Sequence, residues 1–325
     1  MSQPVVSIVT PVYNGESFLG ACIESALAQT YADFEYVILD NASTDDTNVI
    51  AAAYARKDPR IRLHRNERTL PVIENWNRSL ELMSPDSRYC RILHADDTMY
   101  ADCLEKSVAL AERYPSVGVI GSLRLRGKVI QCEGLPRNRE FFSGKDIVRQ
   151  FLREEVYALA PTSNMIRSDL VRARKPFYPT QYLHADLAAY FDILKDCDFG
   201  FIHDVIAFSR EHENSITTTV AERNQTILKE WLLMLQHYGP NFFEPNELAE
   251  IERAFLRRYY RTLIRGAVTH PSRAAYLKYH LDGLQQANRS PSPIDLLRAA
   301  GTEFTRSILH PAKLVRHLSG RRPAA

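Results

Sequence analysis

Short apolar runs alternate with amphipathic stretches along the first 121 residues. Val5 to Val9 reads as a buried strand, stopped by Pro11 and the Asn14-Gly15 turn signal. Phe18, Leu19, Cys22, Ile23, Ala26 and Leu27 then recur at helical spacing. Phe34 to Leu39 predicts a second strand that ends at Asp40, and Ser43 and Thr44 are placed to cap a helix through Val49, Ile50 and Ala53. Ile61 to Leu63, Tyr89 to Leu93 and Val117 to Ile120 read as further strands. Between them lie helical patterns over Val72 to Met83 and, capped by Asp102, through Leu104, Val108 and Ala111. Strand–helix units of this size require right-handed crossovers and a mostly parallel sheet. The predicted class is α/β.

From 122 to about 215 the pattern is less regular, with short runs around Leu123, Val129, Ile166 and Phe199 to Ala207, and one clear helix from Asp186 to Leu194. Beyond 220 long helical patterns are punctuated by Gly239-Pro240, Pro245, Pro271 and Pro291. The expected division is a catalytic domain over 1–219, with a nucleotide-binding half over 1–121 and an acceptor half over 122–219, followed by a helical region over 220–325.

Composition narrows the classes. The chain has 325 residues, 45% hydrophobic and 25% charged, which suits a globular domain with an appendage. A net charge of +2 argues against a nucleic-acid partner held by phosphate contacts. Five scattered cysteines without a C-x-x-C pair point to reduced thiols in the cytoplasm, not a disulfide frame or a zinc site. No cationic, apolar leader and no bilayer-length apolar run is visible, so the expected location is the cytoplasm or the inner face of the membrane.

Ligands of an open parallel sheet bind beyond the carboxyl ends of its strands. Three polar clusters fall there: Thr10 to Asn14, Asp40 to Asp45, and Asp96-Asp97. Adjacent carboxylates repel and raise one another's pKa unless they share a cation, and Mg²⁺ suits a site offering one or two carboxylates. A capping or solvated acid pair is the plainer alternative. The G-x-G-x-x-G of a dinucleotide site is absent after the first strand.

Val6-Ser-Ile-Val-Thr-Pro-Val-Tyr-Asn14, with Glu16, Leu19, Ser25, Gln29 and Thr30, resembles the opening of the family 2 glycosyltransferases. Asp40-Asn-Ala-Ser-Thr-Asp45 is similar to their second nucleotide-binding loop, and His94-Ala-Asp-Asp97 stands where their metal-binding acidic motif belongs. The resemblance covers residues 5 to 217. It implies a GT-A-like, Rossmann-type, mostly parallel sheet flanked by helices, with a helical C-terminal appendage. It further implies an inverting transfer of sugar from a UDP- or TDP-linked donor to a hydroxyl of a glycan or lipid-linked acceptor, in cell-surface polysaccharide synthesis, assisted by Mg²⁺ or Mn²⁺.

Carried onto this chain, the resemblance has Pro11, Tyr13, Glu16, Asn75 and Asn77 lining the nucleotide pocket and Asp40 accepting from the base. Asp96 contacts the ribose or the metal, Asp97 ligates the metal, and His212 completes the metal site. Arg210, His94, Thr162 and Ser163 face the diphosphate or the acceptor. Asp186 is the general base, with His184 and Asp192 in reserve. His94 and Ala185 replace acids common in the family. Those replacements keep open a module that binds nucleotide sugar without turnover; a sugar-phosphate nucleotidyltransferase would want a glycine-rich basic loop where Pro11 to Gly15 stands. In the tail, an apolar helical face (Phe255, Leu256, Tyr259, Tyr260, Leu263, Ile264) with arginines around it, and Lys313, Arg316, Arg321 and Arg322 beyond, reads equally as a membrane-surface contact or as a packed helical cap.

Overall fold

The computed structural model describes residues 5–213, 217–222 and 224–309. The chain divides into two compact units, Met1–Glu213 and Asn214–Ala325, a boundary six residues earlier than the pattern predicts.

The first unit is built on one ten-stranded sheet. Its strands are β1 (Val6–Val12), β2 (Phe34–Asp40), β3 (Ile61–Arg65), β4 (Tyr89–Ile92), β5 (Thr98–Met99), β6 (Val117–Arg126), β7 (Val129–Gln131), β8 (Phe141–Phe142), β9 (Met165–Arg167) and β10 (Asp198–Ser209). The order is β3-β2-β1-β4-β9-β6-β10-β5, with β7 on the edge of β6 and β8 on β10. The longest ladders, β1 with β2 and β10 with β6, are parallel. Every residue of β1, β2 and β4 is buried, which is why these strands read as continuous apolar runs and not as alternating ones.

The helix Leu19–Leu27 buries Leu19, Cys22, Ile23 and Ala26 against this sheet, the face that the periodicity predicts. The next helix starts later than expected, at Thr47. Ser43 and Thr44 do not cap it. Asp45 does the local work, its Oδ1 accepting from the Thr47 amide at 3.1 Å and from the Thr47 hydroxyl at 2.5 Å. Asp102 does occupy the N-cap position of Cys103–Arg113, but its carboxylate pairs with Lys106 at 2.7 Å and makes no capping bond.

Two elements come from the stretch the pattern leaves irregular. β9 inserts antiparallel between β4 and β6, bringing the Pro161–Ser163 turn beneath the carboxyl end of β4. A helix over Gly144–Leu152 packs against Ala185–Leu194, the helix that carries Asp186. Gly144 permits this: a Cβ there would lie 2.0 Å from the Cys197 carbonyl oxygen and 2.5 Å from that of Leu194.

The second unit holds helices over Thr226–Tyr238, Pro245–Thr269, Arg273–Gln286 and Pro293–Leu309. The apolar face of the long helix is interior to this unit. Phe255, Tyr259, Tyr260 and Leu263 are buried, the Phe255 ring stacks on Trp231, and Tyr259 donates to or accepts from buried His280 at 2.9 Å. The buried part of that face packs inside its own unit; Lys313, Arg316, Arg321 and Arg322 lie outside the described residues. No described helix is long and apolar enough to cross a membrane.

Gly144→Ala drives a methyl group into two backbone carbonyls that cannot swing aside, so it should destabilise the first unit by roughly 1–3 kcal/mol. Urea unfolding followed by circular dichroism checks this; an unchanged midpoint would show that the helix Gly144–Leu152 has room to move.

Candidate active site

The carboxyl ends of β1, β2, β4 and β10 form the floor of the site. Parallel pairing of β1 with β2 sets Val12 beside Asp40, so the loops that follow the two strands run side by side. They are laced together. Asn14 Oδ1 accepts from the Thr44 amide at 2.9 Å, and the Asn14 amide donates to Ser43 Oγ at 3.0 Å. The Gly15 amide donates to Thr47 Oγ1 at 2.7 Å, the Glu16 amide to Asp45 Oδ2 at 3.1 Å, and the Asp46 amide to Glu16 Oε2 at 3.1 Å. Pro11 is buried within β1, whereas Tyr13 is half exposed above the floor.

Asp40 ends β2 and is fully buried. Its Oδ1 accepts from the Ser43 amide at 2.9 Å. Its Oδ2 has no hydrogen-bond partner among the described residues, although Arg65 Nη1 stands 3.3 Å away as an ion-pair neighbour. A buried carboxylate oxygen without a hydrogen-bond donor is costly, and here the Arg65 ion pair is what offsets it.

Asn75 and Asn77 do not share a task. Residues two apart on a helix face different ways. Asn75 is buried, its Oδ1 accepting from Asn66 Nδ2 at 2.9 Å, and Asn66 Nδ2 also reaches Asn41 Oδ1 at 2.8 Å. Asn77 is latched to the backbone of Tyr178 on both sides: its Oδ1 accepts from the amide and its Nδ2 donates to the carbonyl, each at 2.8 Å. Its polar atoms are thus committed to the Tyr178 segment and not to a nucleotide pocket.

The acid pair follows β4. Asp97 is buried, and both of its oxygens are engaged. Oδ1 accepts from the Arg210 amide at 3.0 Å; Oδ2 accepts from the hydroxyls of Thr162 and, at 3.2 Å, Ser209. Burial, then the adjacent Asp96 charge, push the Asp97 carboxyl above its ordinary value; the His94 charge and these hydrogen bonds pull the other way. Asp96 is the more open member. His212 Nε2 lies 3.0 Å from its Oδ2, and Arg210 Nε donates to its backbone carbonyl at 3.3 Å. The Arg210 guanidinium stacks over Phe18, whose ring also meets His212 with centroids 4.7 Å apart. Gln29 pins the segment after the acids, its Nε2 donating to the Tyr100 carbonyl at 2.9 Å and its Oε1 accepting from the Leu104 amide at 2.9 Å.

The expectation that Asp97 ligates a metal meets a carboxylate that already accepts three protein hydrogen bonds, so an ion there would share it with those donors. The expectation for Thr162 and Ser163 changes. Both are buried, with the Thr162 hydroxyl given to Asp97 and the Ser163 hydroxyl to the Ala160 carbonyl at 3.0 Å, so neither is presented to an acceptor. No cluster of three or more His, Cys, Asp or Glu able to hold a metal occurs among the described residues. Asp96 and His212 nonetheless supply one carboxylate and one imidazole at a common point. Two protein ligands suffice for an ion that takes the rest of its shell from water and phosphate.

Asp186 lies in the first turn of Ala185–Leu194 and is buried. Burial pushes its carboxyl up; the charges of His184 and His94 and the Leu187 amide pull it back only in part. His94, whose ring packs on Trp76 with centroids 5.1 Å apart, lies within electrostatic range of both Asp97 and Asp186. Asp192 is engaged elsewhere, bridged to Arg174 at 2.5 Å and Lys195 at 2.6 Å, and drops out as a base. Sequence reasoning missed Arg65, the cation beside Asp40, and Arg91, a fully buried arginine inside β4. An arginine amid an apolar strand was the available signal for the second; the first is set by strand register and left none.

Comparison with known proteins agrees with this geometry. The family model for glycosyl transferase family 2 matches residues 7–174. The protein EpsE of Bacillus subtilis is 35% identical over 122 residues, 37% of this chain and 43% of that protein, so the chain matches under half of that relative's length. A PGL/p-HBAD biosynthesis glycosyltransferase of Mycobacterium tuberculosis is 30% identical over 202 residues, 58% of this chain and 78% of the relative. Among solved structures, Staphylococcus aureus TarS 1–349 in complex with UDP-GlcNAc superposes with a TM-score of 0.64 at 16% identity, covering 87% of this chain and 81% of that one. The mannosyltransferase PcManGT of Pyrobaculum calidifontis, in complex with GDP-Man and Mn²⁺, gives 0.59 at 17% identity over 98% and 85%. At these identities the structural likeness is one of fold. With the matched family model spanning more than half of its length and a GT-A architecture around the acidic loop, the chain belongs to glycosyl transferase family 2.

Proposed function

We propose that this protein transfers a sugar from a nucleoside diphosphate sugar to an acceptor hydroxyl with inversion at the anomeric carbon. The observation that carries the reading is the gathering, beyond the carboxyl ends of β2 and β4, of Asp40, whose buried Oδ2 accepts no hydrogen bond from the described residues, and the Asp96–His212 pair, with buried Asp186 within electrostatic range of His94. The division of this structure into a catalytic first unit and a helical second unit is part of the same proposal.

Asp40 recognises the base. A carboxylate accepts and does not donate, so it suits an N–H. Oδ1 is held by the Ser43 amide, whereas Oδ2 accepts no hydrogen bond from the described residues and has the Arg65 cation 3.3 Å away. One such acceptor matches the single imide N–H of uracil or thymine better than the paired donors on the edge of guanine. Tyr13, at the lip, covers the base. Asp96 and His212 are the groups that would hold Mg²⁺ or Mn²⁺; such an ion neutralises charge developing on the departing diphosphate. Arg210, fixed over Phe18, adds a cation at the same place.

Asp186 is the general base. It accepts the proton of the acceptor hydroxyl as that oxygen forms its bond to the anomeric carbon, while the bond from that carbon to the diphosphate oxygen breaks on the opposite face. Its raised pKa strengthens it as a base once ionised. The acceptor is a glycan or lipid-linked sugar of the cell surface, a reading that follows from the resemblance to the family 2 glycosyltransferases. The cytoplasmic side of the membrane is where such donors and acceptors meet.

Calorimetric titration of UDP, TDP and GDP with Mn²⁺, and again with EDTA, tests the donor site. Metal-dependent binding of UDP or TDP with weaker binding of GDP is expected. Binding of none of them would overturn the reading; tighter binding of GDP would overturn the assignment of Asp40.

Asp186→Asn should spare UDP binding and cut turnover by about 10²–10⁴-fold. The base acts only when ionised, so the rate of the native enzyme should rise with pH through a limb above the ordinary carboxylate range. Because the folded-state pKa of Asp186 is raised, the stability linked to this group is present at low pH and lost as pH rises through the raised value. The amide escapes that loss, so Asp186→Asn should also melt higher than the native protein at neutral pH. Near-native turnover would assign the proton to another group.

A further inference from the structure

β4 carries a charge inside the sheet. Arg91 is fully buried, between buried Cys90 and Ile92. A guanidinium stays ionised in proteins, so this is a permanent interior cation. Its ties are few. Nη2 donates to the Thr162 carbonyl at 2.7 Å, while Nε and Nη1 make no hydrogen bond to the described residues. The sheet does not need such a residue, since an apolar side chain of similar volume in place of a buried charge is often neutral or stabilising.

The carbonyl that Arg91 holds belongs to the turn beneath the acid pair. Arg91 stands opposite Met165 in the antiparallel pairing of β4 with β9, and the Pro161–Ser163 turn immediately precedes β9. Ser122 holds the neighbouring Ser163 carbonyl at 3.2 Å, so the turn is gripped from below at two successive carbonyls. Above, the Thr162 hydroxyl donates to Asp97, whose other oxygen accepts from the Arg210 amide. Arg210 Nε in turn reaches the Asp96 carbonyl, and His212, two residues on, meets the Asp96 carboxylate. The chain of contacts runs without a gap from the interior cation to the open acid.

We propose that Arg91 is a positioning residue for the acid pair: by fixing the Thr162 carbonyl it sets the Asp97 carboxylate and, through Arg210, the Asp96–His212 pair. The inference rests on the reading of Asp96 and His212 as metal ligands. Residues that orient ligands from behind typically change metal affinity by about 10–100-fold when removed.

The test uses the full chain as Arg91→Met, Arg91→Lys, Thr162→Val and the double variant Arg91→Met/Thr162→Val. The readouts are the Mn²⁺ concentration that half-saturates UDP binding, by calorimetry, and the melting temperature without ligand. Arg91→Met should melt at or above the native temperature and require on the order of tenfold more Mn²⁺. Arg91→Lys should recover part of that loss, since an ammonium still offers donors to the carbonyl. The double variant should need no more Mn²⁺ than the worse single variant, because both act through one tie. Native half-saturation in Arg91→Met overturns the inference, and so does a fall in melting temperature with no change in metal requirement. If Arg91→Met does not fold, Arg91→Lys decides: native half-saturation there overturns the inference, and a raised one with native melting supports it. UDP binding by the native protein that is indifferent to Mn²⁺ would instead defeat the metal reading before any variant is made.

Discussion

The Asp97 carboxylate is the constraint on which the rest of the site depends. It is buried at the end of a central strand, and it gathers a hydroxyl from a turn 65 residues later and an amide 113 residues later. A buried carboxylate is costly unless its oxygens are satisfied, and here both are. The return is geometric. The Pro161–Ser163 turn, the end of β10 and the acidic loop share one fixed point, and Asp96, His212 and Arg210 are held about it. Removing any of the three donors would leave an interior charge short of a partner, a more severe loss than the net value of one hydrogen bond.

The site combines satisfied and unsatisfied polar groups in a consistent way. Groups that hold the loops together, Asn14, Ser43, Asp45, Thr47, Asn77 and Thr162, have their partners within the protein. Groups proposed to meet ligand, Asp40 Oδ2, Asp96 and Asp186, are those that accept no hydrogen bond from the described residues, face the His212 imidazole, or are raised in pKa. Function on this account sits where the fold tolerates local cost, the familiar trade between stability and activity.

Much of residues 1–121 was legible in the sequence. Buried parallel strands are mostly apolar, their helices are periodic, and the polar clusters after β1, β2 and β4 stand out against both. Residues 122–219 were not. β9 is three residues long, too short for any period to show, and the helix over Gly144–Leu152 depends on a close approach that only the tertiary structure makes visible. The roles of Asp96 and Asp97 were blurred for the same reason. Adjacent in sequence, they are separated by what folds onto them: Thr162, Ser209 and Arg210 for one, His212 for the other. Asn75 and Asn77 were grouped by proximity in the chain and parted by the turn of a helix. In the tail, periodicity found an apolar face correctly, but only packing against Trp231 and His280 tells that the face is an interior one.

The most direct measurement is a crystal structure with UDP and Mn²⁺, with anomalous data collected at the manganese edge. The account predicts one ion peak within bonding distance of Asp96 and His212, with Asp97 still hydrogen-bonded to Thr162, Ser209 and Arg210. An ion bound to Asp97, with those donors displaced, would contradict it.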